Sequence, residues 1–113
     1  AAGLPELDLR PAVRAAASDF FAGVAPAIVS ARFHNTLADA TAALVAGADA
    51  SRALPVVLTG GCFQNALLAE RAKEALERDG RRVFLHRRVP PGDGGIALGQ
   101  AAVANAIART GGR

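Results

Sequence analysis

Two stretches of the chain hold the residue types that could do chemistry: Val56-Val57-Leu58-Thr59-Gly60-Gly61-Cys62-Phe63-Gln64-Asn65 and Pro90-Pro91-Gly92-Asp93-Gly94-Gly95. In the first, a run of branched apolar residues enters a glycine pair and then a helical pattern. Without Cβ atoms, Gly60 and Gly61 let backbone N–H groups approach a phosphate or nucleoside closely. Asn65 either caps the helix that follows or turns its side-chain amide toward a ribose or base. Glycine pairs also serve ordinary strand–helix turns, and neither the Walker lysine pattern nor the full dinucleotide fingerprint is present. In the second stretch Asp93 stands alone among prolines and glycines. On the residues alone, an Asx turn or an N-cap for the helix near Ile96 is the simpler reading. The sharper reading makes it an oxygen ligand to a divalent metal beside the phosphates.

The other reactive side chains are less informative. His34 and His86 lie too far apart in sequence to form a recognisable metal pair. His34, inside a helical pattern, reads as a packed or hydrogen-bonded histidine, and His86, at a strand end, as a residue of a pocket mouth. Cys62 adjoins the glycine pair without a His or Asp partner at a telling distance, so it reads as a small buried residue rather than a nucleophile.

These loops need elements to hold them. Leu54 to Leu58 lacks alternation, as expected of a strand covered on both faces in a parallel sheet. After Asn65, Leu68, Ala72, Ala75 and Leu76 mark one helical stripe, and Asp79-Gly80 ends that helix with a left-handed glycine cap. Arg82 to His86 forms a second strand, so residues 54–86 make a βαβ unit with a right-handed crossover. Ile96 to Arg109 is a helix of small residues ending at Gly111-Gly112. Upstream, residues 1–10 are a lead-in. Pro11 suits the first turn of a helix that Gly23 stops, and Pro26 opens a longer helix whose apolar residues are dense enough to be covered on both sides. Gly47 to Arg52 is a loop.

Composition narrows the class. The chain has 113 residues, enough for one domain burying roughly two-thirds of its unfolded surface. Half its residues are hydrophobic, many of them alanine, and it has five Phe and no Trp, Tyr or Met. The net charge is +3. Its closest cation clusters, Arg81-Arg82 and Arg87-Arg88, flank one short strand and read as solvated or phosphate-steering arginines rather than as a nucleic-acid surface. One cysteine permits no internal disulfide and fits a reducing cytoplasm. No stretch approaches the ~20 apolar residues of a membrane span. No signal peptide is read at the start, and the missing initiator Met points to a processed or truncated chain. The expectation is a soluble, cytoplasmic protein.

Leu58 to Asn65, joined to His86-Arg87-Arg88-Val89-Pro90-Pro91-Gly92-Asp93-Gly94-Gly95-Ile96-Ala97-Leu98-Gly99-Gln100, closely resembles the C-terminal end of the HypF family, carbamoyltransferases that mature nickel–iron hydrogenases. Ala31 to Ala38 resembles that family's preceding helix, and the likeness runs from about Leu7 onward. Cys62 departs from it, since the family more often carries a small apolar residue there. The resemblance implies an α/β fold: the C-terminal lobe of an actin/sugar-kinase-like (ASKHA) domain similar to tRNA threonylcarbamoyl-transfer enzymes, with residues 1–113 a single partial domain. It implies carbamoyl-adenylate, made from carbamoyl phosphate and ATP in an upstream domain, as carbamoyl donor. The acceptor is the C-terminal cysteine of a HypE-like protein.

By the same resemblance, Gly60, Gly61 and Asn65 match the nucleotide-contacting loop and Asp93 the metal-binding aspartate. The metal's identity is open and no catalytic residue is identified. The remaining metal ligands belong to a His-x-x-x-His motif that this sequence lacks, so the missing N-terminal lobe must supply them and these residues alone should have negligible activity. The half-domain should also self-associate or be marginally stable. Two rivals stand beside this reading: another carbamoyl or threonylcarbamoyl transferase of the same fold, and a non-catalytic nucleotide-binding or assembly module.

Overall fold

Proline opens both N-terminal helices. Pro11 lies in the first turn of α1 (Arg10–Phe21) and Pro26 in that of α2 (Pro26–Ala48), where a missing N–H costs no hydrogen bond. Gly23, at φ +75°, makes the turn between them. The computed structural model describes residues 5–111. In it β1 (Val56–Leu58), α3 (Ala66–Arg78), β2 (Val83–Leu85) and α4 (Ile96–Arg109) follow, with short 3₁₀ turns at Gly61–Gln64 and Asp93–Gly95. Within that span residues 5–9 of the expected lead-in have no regular secondary structure before α1, while residues 1–4 lie outside the described residues.

The βαβ unit is present. β1 and β2 pair in parallel with Val56 opposite Val83 and Leu58 opposite Leu85. The chain is thus an α/β protein built on a two-stranded parallel sheet. Between the strands, α3 ends in a Schellman cap: Gly80, at φ +79°, donates to the Glu77 carbonyl and Arg81 to that of Leu76, at 2.9 and 3.1 Å.

The core is small. Ala38 of α2, Ala72 and Leu76 of α3 and Leu58 of β1 are buried together, flanked by Ala42, Val45, Val56, Phe63, Val83 and Leu85. Alanine at the α2–α3 contact lets the two helices approach closely, which suits a core with so few large side chains.

The extent of β1 and the covering of α2 differ from expectation. β1 spans three residues rather than five, because Pro55 has no N–H to donate and the ladder starts with Val56 donating to the Arg82 carbonyl at 2.9 Å. Only one face of the sheet is covered. Val57 and Phe84, register partners on the other face, are 58% and 48% exposed, since no described helix packs over them. Likewise α2 buries only Ala38 fully; α1 and α3 are its helical neighbours and leave the rest of its circumference open. The helix also runs two residues into the segment read as loop, through Gly47 and Ala48.

α1 and α4 bury none of their residues. The Cα radius of gyration is accordingly 17.7 Å, against about 13 Å for a compact domain of this length. Among the described residues, no helix is long and apolar enough to cross a membrane.

Candidate functional site

The two sequence motifs meet at one backbone carbonyl. β1 ends at Leu58; Thr59 follows, and then Gly60 with φ 102° and ψ 162°, a conformation essentially confined to glycine. That geometry aims the Gly60 N–H at the Pro91 carbonyl, 2.7 Å away. Thr59 donates its hydroxyl to the same oxygen at 3.3 Å, and its Oγ1 lies 3.0 Å from His86 Nε2, which donates to it in the consistent assignment. Residues 59–61 and 86–93, roughly 30 positions apart in sequence, are thereby clamped side by side.

A Cβ on Gly92 would fall 2.5 Å from the Gln64 amide nitrogen, the end of a flexible side chain that can swing aside, and 3.6 Å from the Gly61 Cα, an ordinary contact. Gly95 is the stricter position, since a Cβ there would fall 2.7 Å from the Pro90 carbonyl oxygen and the loop could not keep this path. Gly61 is different. It has ordinary φ, and a Cβ there would meet nothing within 4 Å. Its surroundings are open space beside a cleft of about 360 Å³ walled by Thr59, Gly60, Gly61, His86, Pro91 and Asp93. The N–H groups of Gly61 and Cys62 make no backbone hydrogen bond among the described residues, so they are available to a ligand oxygen.

Asp93 is the carboxylate of this cleft. It is exposed, begins the 3₁₀ turn before α4, and makes no hydrogen bond or ion pair among the described residues. It does not cap α4. The 3₁₀ turn intervenes and gives the N-cap position to Gly95, which has no side chain to cap with. An unpartnered carboxylate suits a hard, oxygen-preferring cation. Among the described residues no group of three or more His, Cys, Asp or Glu converges, so Asp93 is one ligand of a site needing further donors.

Asn65 lies outside the cleft wall. It caps α3, its Oδ1 accepting from the Leu68 N–H at 3.2 Å, while its Nδ2 lies 2.9 Å from His34 Nε2. His34 is half-buried and places Nδ1 2.8 Å from the Ser30 carbonyl. Asn65 thus keeps one N–H and one lone pair free for a ligand.

Two side chains are placed differently from expectation. Cys62 is exposed, because the 3₁₀ turn carries residues 61–62 off the end of the sheet with nothing packed over them. Arg81 is neither solvated nor free for a phosphate. Its side chain is 1% exposed, and it binds Asp49 Oδ2 at 3.2 Å, Asp79 Oδ2 at 3.0 Å and the Asp49 carbonyl. Arg52 pairs with the other oxygen of Asp79 at 2.8 Å. The Ser51 hydroxyl and Leu54 amide, with Arg81 behind them, hold the Asp49 carboxyl below its usual range. Arg52, then Arg81, do the same for Asp79. This cluster ties the α2–β1 loop to the end of α3 on the side of the fold away from the glycine turn's own hydrogen bonds. Arg87 and Arg88 are exposed and without an ion pair among the described residues, and His86 lines the cleft as expected.

Sequence reasoning passed over Thr59, Gln64 and the Pro91 carbonyl. A hydroxyl residue between a buried strand and a glycine pair was the available signal for Thr59. A backbone acceptor has no side-chain signature.

The known proteins to which the chain is similar agree in kind. A HypF family model, described as the carbamoyltransferase Kae1-like domain, second subdomain, matches residues 2–100. The carbamoyltransferase HypF of Rhodobacter capsulatus is 44% identical over 86 residues, which are 75% of this chain and 11% of that protein. Carbamoyltransferase HypF2 of Cupriavidus necator is 41% identical over 99 residues, 87% of this chain and 12% of that one. The HypF of Rhizobium leguminosarum is 43% identical over 76 residues, 66% of this chain and 10% of the relative. The chain therefore spans little more than a tenth of the length of these relatives. No solved structure matches it significantly.

Proposed function

The chain belongs to the HypF carbamoyltransferase family, in the second subdomain of its Kae1-like domain, and from that membership we propose that it is the nucleotide-closing lobe of an ASKHA-type carbamoyl-transfer domain. In this reading residues 1–113 are one partial domain of a cytoplasmic enzyme. The cleft between Gly60-Gly61 and Asp93 receives the phosphate end of ATP or of carbamoyl-adenylate. The observation that carries the reading is the shared Pro91 carbonyl, which holds the glycine turn and the carboxylate loop on either side of one cleft.

Each residue has a bounded task. The exposed N–H groups of the glycine turn donate to phosphate oxygens. Asn65, with its remaining amide N–H, contacts the ribose or base. Asp93 supplies one oxygen ligand to a divalent cation, which when bound neutralises phosphate charge and helps orient the donor. The transfer joins the thiolate sulfur of the acceptor's C-terminal cysteine to the carbamoyl carbon. The bond from that carbon to the adenylate oxygen breaks, and AMP leaves. The acceptor is a HypE-like protein, and carbamoyl phosphate is the source of the group. No side chain of this chain is assigned the proton transfers. An oriented acyl-adenylate needs contacts from both walls of its site, so the chain alone is inactive and depends on the N-terminal lobe and the upstream domains.

Calorimetric titration of AMP and ATP, with and without Mg²⁺, tests this on the wild-type chain and on Asp93→Ala. The expected result is nucleotide binding that Mg²⁺ strengthens in the wild type and not in the variant. A wild type that binds neither nucleotide, or a Mg²⁺ effect that survives in Asp93→Ala, contradicts it. Carbamoylation of an acceptor peptide by the chain alone, at the rate of a complete enzyme, would also overturn the half-site reading.

A further inference from the structure

We propose that His34 is a positioning residue for the glycine turn, acting through Asn65; this deepens the nucleotide-loop reading and rests on it. The imidazole sits on α2, 31 residues before Asn65 in sequence, and each of its nitrogens is committed. Nδ1 lies 2.8 Å from the Ser30 carbonyl, which can only accept, so Nδ1 carries the proton. Nε2 is then a lone pair, and it accepts from Asn65 Nδ2 at 2.9 Å. That contact fixes which way the Asn65 amide faces. Its Oδ1 is turned to the Leu68 N–H, the cap of α3, at 3.2 Å. The opposite rotamer would set oxygen against the Nε2 lone pair and NH₂ against the Leu68 N–H, losing both bonds.

Asn65 is also the end of the turn that presents Gly60 and Gly61. Its own N–H donates to the Cys62 carbonyl at 3.2 Å, and the Phe63 N–H donates to that of Gly60 at 3.1 Å. One end of the turn is held by Gly60 donating to Pro91, the other by Asn65 on His34. The α2–α3 contact needs no hydrogen bond for its own sake, since Ala38, Ala72 and Leu76 already form a buried apolar contact. What His34 adds is orientation of one amide, and with it the N-terminus of α3. Any residue offering an acceptor to Asn65 and a donor to Ser30 at this reach meets the requirement. Glutamine does, and leucine does not.

The test compares His34→Gln, His34→Leu, Asn65→Ala and the double variant His34→Leu/Asn65→Ala. Two readouts are taken on the full chain: hydrogen exchange of the Leu68 amide by NMR, and affinity for AMP. The cap depends on the oriented amide, so His34→Leu should speed Leu68 exchange roughly 5- to 10-fold, about what loss of an N-cap produces. His34→Gln should stay within twofold of wild type, and the double variant should exchange no faster than Asn65→Ala. AMP affinity should fall in His34→Leu and be restored in His34→Gln. Equal damage from Gln and Leu, unchanged Leu68 exchange in His34→Leu, or additive effects in the double variant would overturn the proposal. If wild type binds no AMP, the nucleotide reading fails by itself and the exchange series still judges His34.

Discussion

The two glycines of the turn should respond in opposite ways to the same added methyl group. Gly60 has φ 102° and ψ 162°, where a residue with a Cβ is strained by about 1–3 kcal/mol. Gly61 begins a 3₁₀ turn with ordinary φ. Neither added Cβ would touch another atom within 4 Å, so collision does not separate the two positions and backbone strain does. Alanine also stiffens the unfolded chain at either site, a gain of about 0.4–1 kcal/mol. Gly60→Ala should therefore lose about 1–2 kcal/mol net, lowering Tm by several degrees at about 4 °C per kcal/mol for a domain of this size. Gly61→Ala should be neutral or slightly stabilised. Ligand binding should reverse the order of harm: the methyl on Gly61 occupies the space through which a phosphate approaches the backbone, so its AMP affinity should fall at least tenfold in a protein that folds normally. Urea melts and AMP titrations on both variants are the assay. Equal destabilisation at the two positions would refute the strain argument. A stable Gly61→Ala with unchanged AMP affinity would refute the close-approach argument.

Other consequences follow from the core and the charges. Leu76 is fully buried, so Leu76→Ala should cost about 2–5 kcal/mol in urea denaturation, enough to unfold much of a chain with so small a core. Asp49 and Asp79 have carboxyls held below their usual range, so their contribution to stability is present above the unfolded value of about 3.9 and is lost as pH falls through the lower folded values. The denaturation midpoint should be insensitive to these two groups from pH 7 to about 5 and drop below about 4, and Asp49→Asn should flatten that drop. The bare pair Val57 and Phe84 should drive self-association, seen as a concentration-dependent sedimentation coefficient that Val57→Thr/Phe84→Thr removes. A wild type that is monomeric at all concentrations would count against that face being sticky.

What the sequence disclosed and what it withheld divide along the range of the forces involved. The Gly80 cap was legible because a Schellman turn is settled within six residues, and the helix from Ile96 to Arg109 was legible because a Pro/Gly loop and a terminal glycine bracket it. The Gly60-Gly61 and Asp93 motifs were also readable, as was the parallel βαβ unit that joins them. The clamp between them was not, because its acceptor is the backbone oxygen of Pro91. Arg81 was misread because its burial depends on Asp49, 32 residues earlier, folding back onto it. The apolar run of β1 marks a strand suited to covering on both faces, but it says nothing of which covering elements a given stretch of chain contains, and here Val57 and Phe84 stay open. Cys62 was read as buried from residue type alone, whereas the 3₁₀ turn lifts it off the sheet. For His34 the sequence leaves open a packed or a hydrogen-bonded histidine, and only its partner, Asn65, shows which it is and what that bond orients.

The central claim is that one cleft holds a nucleotide phosphate against Gly60-Gly61 and a cation against Asp93. Paramagnetic broadening of amide resonances by Mn²⁺, added with ATP to the ¹⁵N-labelled chain, tests both halves at once. Broadening is predicted at residues 59–61 and 92–95, with little effect on α1 or on the Arg81 cluster, and it should vanish in Asp93→Ala. Broadening confined to other acidic surfaces, or broadening at these residues that persists without Asp93, would contradict the account.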